Sequence, residues 1–276
     1  MPRIEKDALG ELEIPSFAYY GIQSLRASQN FKISGTQVHP ELIRNFLLLK
    51  KSAALTNFFL KQLDETRAIA ISNAVDDLLS QDYAKHFIVD AYQAGAGTSQ
   101  NMNANEVIAH IAAAAGSKVH ANDDVNSGQS SIHPNDHVNQ SQSTNDTYPT
   151  VLRLSCLNLS KKIYQELELL FRSLDQKSLQ FDGILKSART HLQDAVPIRL
   201  GQEFSGYRDT ILQLMTVLTD AQDGLRELGI GGSAAGTGIN VPKNFRSHIL
   251  CELKKNFHDC ALRLSHNLFT SMQSQL

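Results

Sequence analysis

The feature that most constrains this chain is a run of apolar side chains, Leu152, Cys156, Leu159, Ile163, Leu167, Leu170 and Leu174, spaced by three and four without a break. That period lays one stripe along a helix of roughly 30 residues, about 45 Å at ~1.5 Å per residue. A helix of this length cannot bury its stripe alone and belongs to a bundle or coiled coil. Two more segments repeat the period: Phe204, Tyr207, Ile211, Leu214 or Met215, Leu218, Ala221, Leu225 and Leu228 after Gly201, then Phe245, Ile249, Leu253 and Phe257 after Pro242. Across residues 145–276 no alternating run of strand length stands out, so the expected class is all-α.

Upstream, residues 1–40 carry Gly10, Pro15, Gly21 and Gly35 among scattered aromatics, a pattern of turns and short extended pieces that reads as an arm packed on something else. From Pro40 helical spacing returns with Leu42, Ile43, Phe46, Leu47, Ala53, Ala54, Phe58 and Phe59, and again with Ala68, Ile71, Val75, Leu78 and Leu79 after a break near Asp64. Two antiparallel helices are expected there. The division that follows is a mainly helical N-terminal domain over 1–142 and a central long-helix bundle over 143–276.

Charge narrows the choice of partner. With 26 Lys+Arg against 28 Asp+Glu, nothing drives a nucleic-acid or membrane-surface contact, and a small ligand is expected. The three cysteines, Cys156, Cys251 and Cys260, have no metal-ligand spacing and form no even set for disulfides, which suits a reducing compartment. The N-terminus is charged and no apolar run reaches the ~18 residues of a spanning helix, so a cytoplasmic protein is expected.

Chemistry gathers where polar stretches meet helix starts. Residues 133–150 are polar and feed the longest helix, with Asn145 or Asp146 as the expected cap and Pro149 expected in the first turn. Ser143, Thr144 and Asn145 then crowd the positive end of that helix, where free N–H groups and neutral side-chain donors suit a carboxylate or phosphate; an ordinary capped loop is the plainer reading. Gly95-Ala96-Gly97-Thr98-Ser99 is a second glycine-rich loop before a helix, either an anion cradle or a tight turn that needs glycine for positive φ. It lacks the lysine of a P-loop and follows no strand. His191, flanked by Arg189, Thr190 and Gln193, can serve as acid, base or donor near neutral pH, or simply be solvated. His133 and His137 have an i, i+4 spacing, but Pro134 and the lack of a third ligand argue against metal.

Taken in order, Gly95–Ser99 continuing to Asn101-Met102-Asn103-Ala104-Asn105-Glu106, then His133–Pro149, then Arg189–Pro197 with Gly201-Gln202-Glu203, then Gly236-Thr237-Gly238-Ile239-Asn240, resemble the ordered motifs of the aspartase/fumarase superfamily. The aspartate ammonia-lyase branch is the nearer likeness, through Tyr19-Tyr20-Gly21, Leu25-Arg26-Ala27, the Gly95–Ser99 form and Ser143-Thr144-Asn145; the class II fumarate hydratase branch is the alternative.

The resemblance implies a dicarboxylate lyase of L-aspartate and fumarate and a homotetramer; no cofactor is expected, and no residue is assigned to a metal. Proton removal next to a carboxylate builds negative charge on that carboxylate, which preorganised donors must meet. By resemblance, Thr98, Ser143 and Thr144 hold this carboxylate, Asn145 places the amino group, and Thr190 and His191 contact the other carboxylate and the leaving group. Ser143, Thr144 and His191 are then the catalytic candidates, with His191 as proton carrier.

One departure is large. The superfamily's Gly-Ser-Ser-x-Met-Pro-x-Lys-x-Asn-Pro loop, bearer of the serine base, occurs nowhere in the sequence, so the chain reads as an N-terminal portion with an incomplete bundle and little or no turnover. Because three subunits build each site in the superfamily, a monomer would assemble none. The stripes at 150–180, 202–228 and 243–258 are then expected to lack partners. The reading from another class is a non-catalytic helical assembly or interaction module.

Overall fold

The computed structural model describes residues 2–119 and 132–273. Along the chain run β1 (Arg3–Asp7), β2 (Gly10–Ile14), α1 (Ile22–Asn30), α2 (Pro40–Phe59), α3 (Glu65–Leu79), α4 (Thr98–Val119), α5 (Thr144–Gln180), β3 (Leu185–Thr190), β4 (Gln193–Arg199), α6 (Leu200–Leu225), β5 (Glu227–Leu228), α7 (Phe245–Phe257), β6 (Arg263–Leu264) and α8 (Leu268–Gln273). The fold is mainly helical, as its periodicity requires. Two compact units form, Met1–Ser155 with Glu227–Leu276, and Cys156–Arg226.

In the first unit the core centres on α2. His39 caps it by accepting the Glu41 N–H, Pro40 fills its first position, and Ile43, Phe46, Leu47, Leu49, Ala53 and Ala54 are buried. Phe58 and Phe59 depart from the expected stripe: Phe59 is exposed at the helix end, its ring 4.3 Å from that of His248. Asp64 caps α3 by accepting the Arg67 N–H.

The N-terminal arm opens on an antiparallel hairpin, β1 with β2, which packs on α1, and α1 in turn packs on α4. The Glu106 carboxylate of α4 accepts the N–H groups of Gly21, Gln23 and Ser24 and the Ser24 hydroxyl, so it closes the start of α1 from outside. Burial raises the Glu106 pKa against those four donors.

α7 corrects one expectation. It does not lack a partner: Phe245, Ile249, Leu253 and Phe257 are buried against the α2 side of the core, with Asn256 donating to Ser52 Oγ at 2.8 Å.

The second unit contains most of α5, the β3–β4 hairpin and α6. Arg208 Nη1 meets Asp175 Oδ1 at 2.9 Å and Gln222 Nε2 meets Ser160 Oγ at 3.1 Å, which ties α6 alongside α5. The hairpin departs from the irregular connection expected over 186–197. Its strands pair antiparallel from Leu185↔Arg199 to Thr190↔Gln193, with an irregularity between Ser187 and Arg189. The alternation was hard to see because both faces are largely exposed, so no apolar period marks it.

Candidate active site

Two helix starts and one glycine-rich loop meet in the first unit. At the start of α4, Gly95 and Gly97 adopt φ +94° and +86°, and the chain wraps around buried Gln93, whose Oε1 accepts the Ala94 N–H at 2.9 Å. Gly97 lies flat against the Tyr148 ring, where a Cβ would overlap the aromatic carbons. Glycine is therefore required twice over, by conformation and by close approach. Thr98 follows as the first, exposed residue of α4.

At the start of α5, the Ser143 N–H donates to Asp146 Oδ1 at 2.9 Å and the Asn145 N–H donates to Ser143 Oγ at 3.3 Å, a reciprocal cap built with Asp in the reaching-back position. The helix begins at Thr144, earlier than a cap at Asn145 or Asp146 implies, because Asp146 folds back onto Ser143. Pro149 accordingly sits inside the helix, beyond its first turn.

Asn101 of α4 joins the two starts. Its Nδ2 donates to Thr144 Oγ1 at 3.1 Å and to Asn139 Oδ1 at 3.2 Å, and its Oδ1 accepts the Thr147 hydroxyl. Since Thr144 Oγ1 accepts here, its own O–H is left to point away as a donor. Asn145 is exposed and anchored through Nδ2 to the Ala234 carbonyl at 2.7 Å.

The loop at 229–240 is fastened by Asp146, which is fully buried and whose Oδ2 accepts the N–H groups of Gly231 and Ser233 at 3.0 and 2.9 Å. Gly231 adopts φ +84° where a Cβ would overlap the Arg246 side chain, so the loop can close only around glycine.

Behind these donors lies Lys50, also fully buried, its Nζ donating to Asn139 Oδ1 at 2.8 Å and to Gln142 Oε1 at 3.0 Å. Burial pulls the Lys50 pKa down to about 7, with Asp146 opposing, and burial lifts Asp146 to about 6 against its backbone donors and Lys50.

Thr98, Ser143, Thr144 and Asn145 thus share one corner of the first unit. Thr190 and His191 belong to the second unit, exposed at the hairpin tip. There His191 and Leu192 form a two-residue turn at φ 48° and 63°, a mirror-type turn that ordinarily takes Asn-Gly. Neither residue is glycine, and such positions cost about 1 kcal/mol or more each. His133 and His137 are spent locally: His133 Nδ1 accepts the Asp136 N–H, and the His133 N–H donates to His137 Nδ1 at 2.8 Å.

Three residues of the corner escaped the sequence reading: Lys50, Asn139 and Gln142. A signal for the first existed, because Lys50 stands three and four residues from Phe46, Leu47, Ala53 and Ala54 and so lies on the buried face of α2.

Comparison with known proteins gives a consistent set. A protein-family model described as "Lyase" matches residues 10–275. An aspartate ammonia-lyase of a Bacillus species is 42% identical over 99% of this chain and 57% of its own length. A class II fumarate hydratase of Oceanobacillus iheyensis is 38% identical over 99% of this chain and 58% of its own. Among solved structures, a fumarate lyase:delta crystallin from Brucella melitensis superposes with a TM-score of 0.88 at 40% identity, over 99% of this chain and 58% of that one. The chain therefore spans between half and three-fifths of the length of the curated relatives it matches.

Proposed function

Because the chain belongs to the lyase family of the aspartase/fumarase superfamily, we propose that it supplies the dicarboxylate-holding half of an aspartate ammonia-lyase, which interconverts L-aspartate with fumarate and ammonia. The observation that carries this reading is the Asn101 bridge between two helix starts, which leaves the Thr144 hydroxyl as an outward donor beside Ser143, Asn145 and Thr98. Two helix N-termini and neutral donors suit a carboxylate whose charge grows as the neighbouring C–H proton leaves. Thr190 and His191 are assigned to the second carboxylate and the leaving group, with His191 carrying a proton. The donors of this corner are assigned to holding the dicarboxylate.

The reading includes a homotetramer, supported by the exposed stripe of the second unit, where Ile163 is 55% and Val217 64% exposed. A reducing, cytoplasmic setting is supported by Cys156, Cys251 and Cys260, all free thiols. Class II fumarase is the second reading, favoured by relatives of similar identity.

Fumarate absorbance, followed from L-aspartate and from L-malate with a chain extended through the serine loop, separates the two. Formation from L-aspartate supports the ammonia-lyase, and formation from L-malate alone overturns it. In that context Thr144→Ala and His191→Ala should each lower kcat, by about tenfold or more per lost donor, with the fold intact. Unchanged kcat in either variant removes that residue from the site.

A further inference from the structure

We propose that Lys50 is a positioning residue of the dicarboxylate site, acting through Asn139 and Asn101 to keep the Thr144 hydroxyl pointing outward as a donor. This rests on the reading above and goes beyond it, because Lys50 is too deeply buried to touch a ligand.

The argument runs through orientation. An amide side chain can turn over and exchange its oxygen for its nitrogen, so each amide here is fixed only by its partners. In its ammonium form Lys50 Nζ is a donor without acceptor capacity, and at 2.8 Å it then forces an oxygen onto Asn139 at that position. Gln142 supplies the second acceptor, its Nε2 being committed to the Val138 and Gln140 carbonyls. With Asn139 Oδ1 so placed, Asn101 presents Nδ2 to it at 3.2 Å, and the same Nδ2 donates to Thr144 Oγ1 at 3.1 Å. The threonine oxygen is thereby an acceptor on its inner side, and its proton is directed outward.

Without the ammonium, the Asn139 oxygen is held inward by the neutral donor Asn101 Nδ2 and by the 3.5 Å bond of Asn139 Nδ2 to the Gln142 carbonyl, both weaker than a charged donor at 2.8 Å. Asn139 and Asn101 can then turn over together, giving up the long bond from the Thr147 hydroxyl to Asn101 Oδ1 while that hydroxyl keeps its bond to the Ser143 carbonyl, and Thr144 donates inward to an oxygen of Asn101. One outward donor is lost, although every side chain remains in place. The charge also helps directly, since a buried ammonium behind neutral donors favours an anion in front of them. Asp146 is the counter-charge that acts on Lys50, and its carboxylate is occupied by the N–H groups of Ser143, Gly231 and Ser233.

The test is fumarate binding to the 276-residue chain, read by ligand-observed NMR titration at about pH 6, below the value of about 7 at which Lys50 loses its proton. Lys50→Met should weaken binding by about 10- to 100-fold, the value of one hydrogen bond to a charged ligand. Thr144→Val should weaken it similarly, and Lys50→Met added to Thr144→Val should change it no further. Additive losses, or full-strength binding by Lys50→Met, overturn the relay while leaving the dicarboxylate reading intact. No binding by the unsubstituted chain, while an assembled chain extended through the serine loop also fails to bind, overturns the dicarboxylate reading. If the extended chain binds, the same variants are read in it. Should Lys50→Met fail to fold, Asn139→Leu removes the next link, and unchanged binding there equally overturns the proposal.

Discussion

The two units are built from the same kinds of helix but use their apolar residues in opposite ways. In the first, α2 buries Phe46, Leu47 and Leu49 so fully that even Lys50 is sealed from solvent. In the second, Leu157 and Met215 are the buried apolar residues, whereas Ile163, Leu170, Leu212, Leu214 and Val217 stand exposed. The periodicity of α5 and α6 is as regular as that of α2. Regular period therefore says that a face will be covered, and whether the cover lies in the same chain is a separate matter.

The sharpest way to break that comparison is to attack the uncovered face. If copies of the chain cover it, Leu214→Glu with Val217→Glu should turn an associated species into a monomer in sedimentation velocity, because two charges would enter an apolar contact. A monomeric parent chain at micromolar concentration would end the homotetramer reading for these residues.

A smaller effect separates the units by stability. Leu49→Ala in the covered core should cost about 2–5 kcal/mol in urea unfolding. Leu214→Ala, measured on the monomeric background, should fall within about 0.5 kcal/mol. Equal losses would mean that the α6 face is buried in the isolated chain.

A third effect is a pH dependence confined to the first unit, where the buried Lys50 and Asp146 interact electrostatically. Asp146 holds its proton more tightly in the fold than when unfolded, so its contribution is present below the ordinary carboxylate range and is lost as pH rises through about 6. Lys50 holds its proton less tightly in the fold, so its contribution is present above the ordinary lysine value and is lost as pH falls through about 7. Stability from this pair should therefore be lowest between the two values and rise on either side. Urea midpoints across that range check the shape, and Lys50→Met should abolish the alkaline rise. An alkaline rise that survives the substitution would assign it to another group.

Much of this was legible in the sequence. The helices at α2, α3, α5, α6 and α7 announce themselves by spacing, and Ser143-Thr144-Asn145 and Gly95–Ser99 by small polar residues at helix starts. The hairpin at 185–199 was not, because a strand pair exposed on both faces carries no apolar alternation. Asp146 was read as a cap, and its bonds to Gly231 and Ser233 were invisible because they span 85 and 87 positions of sequence. Lys50 was hidden differently. Its neighbours in sequence show that it is buried, but only the three-dimensional placement of Asn139 and Gln142 shows what accepts from it.

Pro149 gives the corner a mechanical property. Lacking an N–H, it cannot bond the Asn145 carbonyl, so the opening turn of α5 is tied to the rest of the continuous helix by one backbone bond fewer. Further support for that turn comes from the side, through Asn101, Asp146 and the Ala234 carbonyl. The orientation of these donors is consequently set as much by their lateral neighbours as by the helix that carries them.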